Sequence, residues 1–551
     1  MNTRDYALGI DFGTESARAL LVRISDGREA ASQTYPYPHG VVEGRMPHGA
    51  PLPEGFALQH PRDYLEALEE TVKAVLRKAG AGPGDVAGIG IDFTACTPLP
   101  VLADGTPLCL LPEFAKNPHA WVKLWKHHGA LREAEDLNRT FRSAGGEWLA
   151  RYGGAINLEW IFPKLLETHR KAPEVLEKAD RYLEASDWVV WRLTGKEVRG
   201  SCAAGYKGCW LGDGYPPREE LARVDPRFPA LVDRLLGKTF LPAGRPAGGL
   251  TAEWARRLGL EEGTPVSAPI IDAHAAVPGC GVGESGRLVL ILGTSGCHMM
   301  LGEKEILVPG IQGVVRDGIL PGFYGYEAGQ AALGDLFAWF AKNALPRDYA
   351  REAEARSLPP LALMEEKARA VPPGRTGLVA LDWWNGNRSI LIDPGLKGLI
   401  LGYRMGTRPE QVFRALLEAA AFGTRVILDH FQDQGLPVKE VVATGGIAGK
   451  NALFLEILAH ATGRTFHVAR TDQACALGAA VFGAAAAGPE RSGFQGVSQA
   501  ARAMAGSPRA TYEPDPAVKG IYDDLFALYM ELHDHFGRGG TDLMKRIPPP
   551  G

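Results

Sequence analysis

Along this chain the apolar positions switch repeatedly between a period of two and a period of three to four, so strands and helices alternate. From Tyr6 to Ile24 the chain reads YALGIDFG, a tight polar turn at Thr14-Glu15-Ser16, then ARALLVRI. That pattern predicts a hairpin with Asp11 at the end of its first strand. Residues 36–61 are rich in proline and glycine and predict an irregular loop or lid edge. Pro61 then opens a helix to Ala79, because Tyr64, Leu65, Leu68, Val72, Val75 and Leu76 keep a helical period. The following VAGIGIDF predicts a strand that ends in Thr94-Ala95-Cys96-Thr97, and strand, helix, strand make an α/β layer. Residues 118–193 read as mainly helical. Trp121, Trp125, Trp148, Trp160, Trp188 and Trp191 fall there and read as core ahead of sugar contacts.

Gly200–Trp210 reads as a small, flexible stretch in which Lys207 either reaches a substrate oxygen or is simply solvated. Thr251 can cap a helix through Leu258. Val266, Ala268, Ile270 and Ile271 predict a buried strand that carries Asp272 out at its end, followed by small residues that allow close approach. Pattern alone leaves two readings of Asp272 open, a cap on the next helix or a carboxylate with a chemical task.

The second half restarts the pattern. Arg287–Leu301, RLVLILGTSGCHMML, repeats the first hairpin, with Gly293-Thr294-Ser295-Gly296 aligned on Gly13-Thr14-Glu15-Ser16 and Ile291 facing Asp11. Turns of small and hydroxyl residues leave N–H groups free for phosphate oxygens, and Arg18 could add a charge. Two such hairpins heading two α/β halves predict one nucleotide between them, with only Asp11 meeting a metal. Glu327 is expected at a strand end, with a glycine-interrupted helix starting near Gln330. Thr407-x-Pro409-Glu410 reads as a capping box opening a long helix to about Gln434. KEVVATGG predicts a strand running into the loop Gly445–Asn451 and then a helix, a nucleotide cradle by its architecture. Its spacing is neither the dinucleotide fingerprint nor the P-loop.

Composition narrows the class. The length of 551 residues allows two to four domains, and 45% apolar with 23% charged residues is ordinary for a globular protein. A net charge of −4 points to no nucleic-acid surface or polybasic membrane patch. Seven scattered cysteines without a CxxC pair fit a reducing cytosol better than a disulfide framework or a zinc site. No HExxH occurs, and His127-His128 and His533/His535 read as exposed helix residues. No signal peptide is visible, and the longest low-polarity run, Cys475–Gly488, is too short to span a bilayer and reads as a packed core helix. The expected location is the cytoplasm. The tail from Arg546, RIPPPG, is expected to be disordered.

GIDFGTESARALLV, IIDAHAAVPGCG, LILGTSG and VVATGGIAGKN, in that order, resemble the motifs of the FGGY family of carbohydrate kinases, in the actin-like ATPase superfamily. The resemblance covers nearly the whole chain. It is tightest to the branch that phosphorylates L-ribulose, through DFTACTPLP (92–100), FAKNPHAWVKLWKHH (114–128), YGGAINLEWIFPKLLE (152–167), AAGYKGCW (203–210) and LDWWNGNRS (381–389).

The resemblance implies an α/β fold of two ribonuclease-H-like domains with a cleft between them. Residues 1–285 would form the N-terminal, sugar-binding domain and 286–551 the C-terminal, ATP-binding domain. It implies ATP and Mg2+ as cofactors and transfer of the γ-phosphoryl group to L-ribulose, giving L-ribulose 5-phosphate in L-arabinose catabolism. Asp272 would be the general base; Ala95, Lys207, Asp272 and Glu327 would contact the ketopentose; Asp11 would organise Mg2+ through water. Gly13, Thr14, Ser16, Arg18, Gly293, Thr294, Gly334, Gly445, Gly446, Lys450 and Asn451 would line ATP. Many relatives carry Asn near position 450, so Lys450 would meet adenosine differently. Asp272, taken as an unperturbed aspartate, would be ionised at neutral pH.

The expected partners are the sugar and Mg-ATP, with no nucleic acid and no membrane, and a homodimer is the candidate assembly. The alternative within the family is a kinase for another ketopentose or polyol, such as xylulose. Outside it stand an actin-like or chaperone-like conformational ATPase, for which the chain shows no peptide-binding module, and a sugar-sensing repressor. The latter needs an N-terminal DNA-binding helix pair, and the first hairpin starts at Tyr6.

Overall fold

The computed structural model describes residues 4–548. Strands β1 (Tyr6–Phe12), β2 (Ser16–Arg23) and β3 (Glu29–Pro36) run antiparallel in that order. β4 (Val86–Phe93) lies parallel on the other side of β1, followed by β6 (Pro265–Ser267) and the antiparallel edge strand β5 (Pro246–Gly249). β7 (Ile270–Ile271) pairs parallel with the end of β4. Every residue of β4 is buried, which accounts for its apolar run from Val86 to Ile91.

A second sheet repeats this plan. β8 (Arg287–Leu292), β9 (Gly296–Gly302), β10 (Gly313–Arg316), β11 (Tyr324–Gln330), β12 (Glu440–Thr444), β13 (Thr465–Val468) and β14 (Ala510–Tyr512) are arranged β10-β11-β9-β8-β12-β13-β14. β8, β12 and β13 are parallel and the remaining pairings antiparallel. β1, β2, β3, β4 and β6 thus correspond to β8, β9, β11, β12 and β13. The expected α/β architecture of two like halves is present, each headed by its hairpin.

The helices that position the site are α1 (Pro61–Ala79), α2 (Ser201–Tyr206), α3 (Asp272–Gly279), α4 (Gly334–Asn343), α5 (Pro409–Asp433), α6 (Ala452–Thr462) and α7 (Ala474–Ser492). α7 comes late in the chain yet lies on the first sheet. A Cβ at Gly9, Gly88 or Gly90 would sit 1.9, 2.2 and 1.7 Å from the carbonyl oxygens of Ala476, Gly483 and Ala479. Likewise Gly478 meets the Ala275 carbonyl of α3 at 1.7 Å. The small residues of Cys475–Gly488 therefore serve backbone-to-backbone contact between the halves, as a packed core helix. No helix among the described residues is long and apolar enough to cross a membrane.

Several local expectations change. β3 was not legible because none of its residues is buried and its sequence shows no apolar alternation, as an edge strand permits. Gly200–Trp210 is no flexible stretch: it forms α2, buried but for Ser201, and then the buried Lys207. Glu327 is in the middle of β11, not at its end. The glycine-interrupted helix starts at Gly334, after Gln330 has closed β11. α5 is capped from Arg408, whose N–H donates to Gln411 Oε1 at 2.9 Å; Thr407 Oγ1 accepts from Arg404 N instead.

His127 lies off any helix and is buried against Glu167, and His533, though helical, is buried. His128 is exposed but also off a helix. Of the six tryptophans, Trp121, Trp160 and Trp188 are core, while Trp125 is exposed. Arg546 ends a short helix, and Ile547 O receives Lys397 Nζ at 3.4 Å; the last three residues of the expected disordered tail lie outside the described range.

Candidate active site

Three neighbouring strands of the first sheet release carboxylates at the same end. Asp11 is the penultimate residue of β1, Asp92 the penultimate residue of β4, and Asp272 follows β7 directly. The tetrapeptide Gly-Ile-Asp-Phe occurs twice, at 9–12 and 90–93, and the two copies lie in exact register as parallel partners. Phe12 stacks on Phe93 with ring centroids 4.9 Å apart. Asp11 and Asp92 therefore stand side by side, at the strand ends where ligands of open α/β sheets bind.

Asp92 is completely buried and neither of its oxygens has a hydrogen-bond partner among the described residues. Burial, then the neighbouring Asp11, pushes its carboxyl far above the ordinary carboxylate range. Asp11 is also raised, chiefly by burial, with Arg18, its cross-strand partner, acting to lower it. An orphaned buried carboxylate beside a second one is the donor set a hard, oxygen-loving cation requires, so these residues fit Mg2+.

Asp272 opens α3 as its first helical residue. The N-cap is Ile271, which makes no side-chain cap bond, and Asp272 Oδ1 accepts only the adjacent Ala273 N–H, at 2.6 Å. Burial, then the charge of Asp11, pushes Asp272 up to about 7, although Lys207 acts to lower it. Its titration is thus not that of the unperturbed aspartate expected from sequence.

Lys207 leaves α2 and crosses to the second sheet, where its Nζ donates to Glu327 Oε2 at 2.9 Å and Oε1 at 3.1 Å. Both residues are 8% exposed. Burial alone would raise Glu327, but Lys207 and then His274 outweigh it and hold its carboxyl well below the usual carboxylate range. The Lys207 ammonium is raised, because the carboxylate outweighs burial. His274 Nε2 lies 3.4 Å from Glu327 Oε2, and burial lowers the imidazole against the raising effect of that carboxylate. The pair faces a cavity of about 960 Å³ that also takes in Trp160, Asn157, Gln312, Asn387 and Arg388. Ala95 is on the turn after β4. Lys164, fully buried, fixes that turn by donating to Cys96 O at 2.7 Å, and Cys96 adopts a left-handed φ of 50°.

The first hairpin turn is closed by Gly13 N–H donating to Ser16 O. Gln59 Nε2 holds the Thr14 carbonyl at 2.7 Å and Trp125 Nε1 donates to Thr14 Oγ1 at 3.0 Å. Arg18 Nε is engaged with Thr34 Oγ1 at 3.2 Å. The second turn is closed one residue tighter, by Gly293 N–H donating to Ser295 O, and the start of α4 rests on it: Leu333 and Asp335 N–H donate to Thr294 O and Gly334 N–H to Gly293 O. A Cβ at Gly334 would stand 2.5 Å from Gly293 O. Gly445, at φ +93°, lies as close to Leu292 O, at 2.6 Å, so the loop after β12 folds onto the same turn. Gly446 and Lys450 are exposed. Asn451 uses its side-chain oxygen to cap α6, accepting Phe454 N–H at 2.9 Å, which leaves its Nδ2 for any ligand.

The structure therefore brings together Asp11, Asp272, Lys207 and Glu327, and separately Gly293, Thr294, Gly334 and Gly445. Asp92 was missed. Its signal was present, since the repeated Gly-Ile-Asp-Phe tetrapeptide marks two strands with the same job. The Trp125 and Gln59 supports of the first turn carry no such sequence signal.

Comparison with known proteins agrees across the chain. The description "FGGY family of carbohydrate kinases, N-terminal domain" matches residues 6–208, and "FGGY family of carbohydrate kinases, C-terminal domain" matches 288–487. A ribulokinase from Geobacillus thermodenitrificans is 49% identical over 99% of this chain and 97% of its own length. A ribulokinase from Anoxybacillus flavithermus is 48% identical with the same coverage. Among solved structures, a gluconate kinase from Lactobacillus acidophilus superposes with a TM-score of 0.79 at 19% identity, covering 98% of this chain and 99% of that one, a likeness of fold.

Proposed function

The chain belongs to the FGGY family of carbohydrate kinases, and from that premise we propose that it phosphorylates L-ribulose with ATP to give L-ribulose 5-phosphate, with Asp272 as general base. The observation that carries the proposal is the meeting of Asp272 with the Lys207–Glu327 pair at the strand ends of the first sheet, in a chain similar over nearly its full length to ribulokinases. On this proposal the reaction belongs to L-arabinose catabolism in the cytoplasm.

In this reading residues 1–285 form the sugar-binding domain and 286–551 the ATP-binding domain. Lys207, Glu327 and the Ala95 turn position the ketopentose so that its terminal hydroxyl faces Asp272. As the oxygen attacks the γ-phosphorus, the hydroxyl proton passes to the Asp272 carboxylate and the bond from phosphorus to the bridging oxygen breaks, releasing ADP. The turns at Gly13–Ser16 and Gly293–Ser295 offer backbone N–H groups to the phosphates, while Gly334, Gly445 and Gly446 leave room for the nucleotide and Lys450 and Asn451 border it. Arg18 supplies charge near the first turn. Asp11 would hold Mg2+, with Asp92 beside it; when bound, the ion supplies positive charge against the transferring phosphoryl group. Positioning and charge are most of what phosphoryl transfer asks of a protein.

A coupled ADP-release assay over a sugar panel tests the proposal. L-ribulose is expected to give the highest kcat/KM. A clear preference for D-xylulose or a polyol would overturn the substrate, and ADP release unaffected by any sugar would overturn the kinase reading.

A further inference from the structure

Away from the cleft, at the seam between the two sheets, is a second cavity of about 390 Å³. Its wall includes Cys280, just beyond the C-terminal end of α3, whose first residue is Asp272. Three arginines line it, Arg287, Arg470 and Arg502, and no aspartate or glutamate does. The carboxylates nearest two of them are half-exposed and stand outside: Glu440 is 3.2 Å from Arg287 Nε, without hydrogen-bond geometry, and Glu284 is 3.9 Å from Arg502 Nη1. Such contacts are weak in water. Arg470 has no carboxylate partner among the described residues. Backbone carbonyls hold it in place, those of Gly27 and Asp26 in the first half and Met504 at 3.3 Å in the second.

The backbone adds a second, independent feature. Ala505 is right-handed helical (φ −72°, ψ −28°) and Gly506 follows with φ +71°. A right-handed residue followed by a left-handed one turns successive N–H groups into one concavity, the anion-binding nest. Among the described residues neither Gly506 N–H nor Ser507 N–H donates a backbone hydrogen bond, and both residues line the cavity.

We propose that this cavity binds a small phosphate-bearing anion, of sugar-phosphate size, separate from the nucleotide and sugar of the cleft. Three guanidinium groups and two free N–H groups suit phosphate oxygens, and the volume exceeds what a bare phosphate fills. Because α3 runs from the cavity to Asp272 and Arg470 ties the two halves, an occupant would brace the contact between them.

The test is calorimetric titration of the full-length enzyme, its cleft filled with ADP and L-ribulose without Mg2+, using D-ribose 5-phosphate in one arm and inorganic phosphate in the other. One saturable site per chain is expected for ribose 5-phosphate. It should weaken by about tenfold or more in Arg502→Gln, an exposed position that leaves the fold intact, and in Arg287→Gln, and persist in Asp272→Asn. Equal or tighter binding of inorganic phosphate would keep the anion site and remove the sugar moiety from the proposal. No saturable binding in either arm, binding indifferent to both arginine changes, or binding lost in Asp272→Asn would overturn it.

Discussion

Replacing Lys207 with methionine leaves Glu327 buried without its counter-ion, and the structure sets the size of the effect. The pair is 2.9 Å apart and both partners are 8% exposed. Removing one partner of such a pair typically costs about 3–5 kcal/mol. Protonation caps the loss, because Glu327 can take up a proton instead of staying ionised. From its reference value of 4.5 that costs about 3.4 kcal/mol at pH 7 and about 0.7 kcal/mol at pH 5.

The sign follows from the folded state. In the intact protein Glu327 is depressed, so the pair's contribution is present above 4.5 and lost only as pH falls through the lower folded value. Between pH 5 and 7 the intact pair is therefore level, while the variant's deficit grows. Urea unfolding followed by tryptophan fluorescence at both pH values, with Glu327→Gln and the double variant completing a cycle, measures it. The expected result is a Lys207→Met deficit several times larger at pH 7 than at pH 5, largely recovered in the double variant. A deficit equal at both pH values, or changes that add to within about 0.5 kcal/mol, would refute the coupling. Sugar KM should rise in both single variants.

Asp92→Asn should raise the unfolding temperature of the ligand-free protein while weakening Mn2+ binding measured by electron paramagnetic resonance. Because burial and Asp11 raise the Asp92 carboxyl, its cost to the fold increases with pH, so the gain should be larger at pH 8 than at pH 5.5; a loss of stability would contradict this. The value of about 7 for Asp272 predicts that kcat/KM for the sugar rises with pH through about 7 and levels above it, since the ionised form is the base; a flat profile from pH 5.5 to 8 would argue against it. Gly90→Ala drives a methyl into the Ala479 carbonyl of α7 and should cost about 2–3 kcal/mol of stability with little change in nucleotide affinity. Wild-type stability would show that α7 can move away from the sheet.

Much of this arrangement was legible because it is local. Pro61–Ala79, Val86–Phe93 and the two hairpins follow from periodicity within a single element, and the duplicated glycine-threonine turns announced two like halves. What escaped notice depends on contacts distant in sequence. Lys207 reads as a solvated lysine until Glu327, 120 residues later, is brought to it by the packing of α2 against β10, the strand paired with β11. Strand β3 is held by pairing with β2 and not by apolar alternation, so no period marks it. Asp92 is intermediate: its tetrapeptide repeats that of Asp11, but only strand register shows that the two acids stand together.

The central claim, that Asp272 takes the proton of the sugar hydroxyl, is tested most directly by rapid-quench single turnover with Asp272→Asn, saturating ATP and L-ribulose, with nucleotide affinity measured on the same protein. Phosphoryl transfer slowed by about 10²–10⁴-fold with ATP affinity within about twofold of wild type is the expected result. Near-normal transfer, or a loss explained entirely by failure to bind ATP, would contradict it.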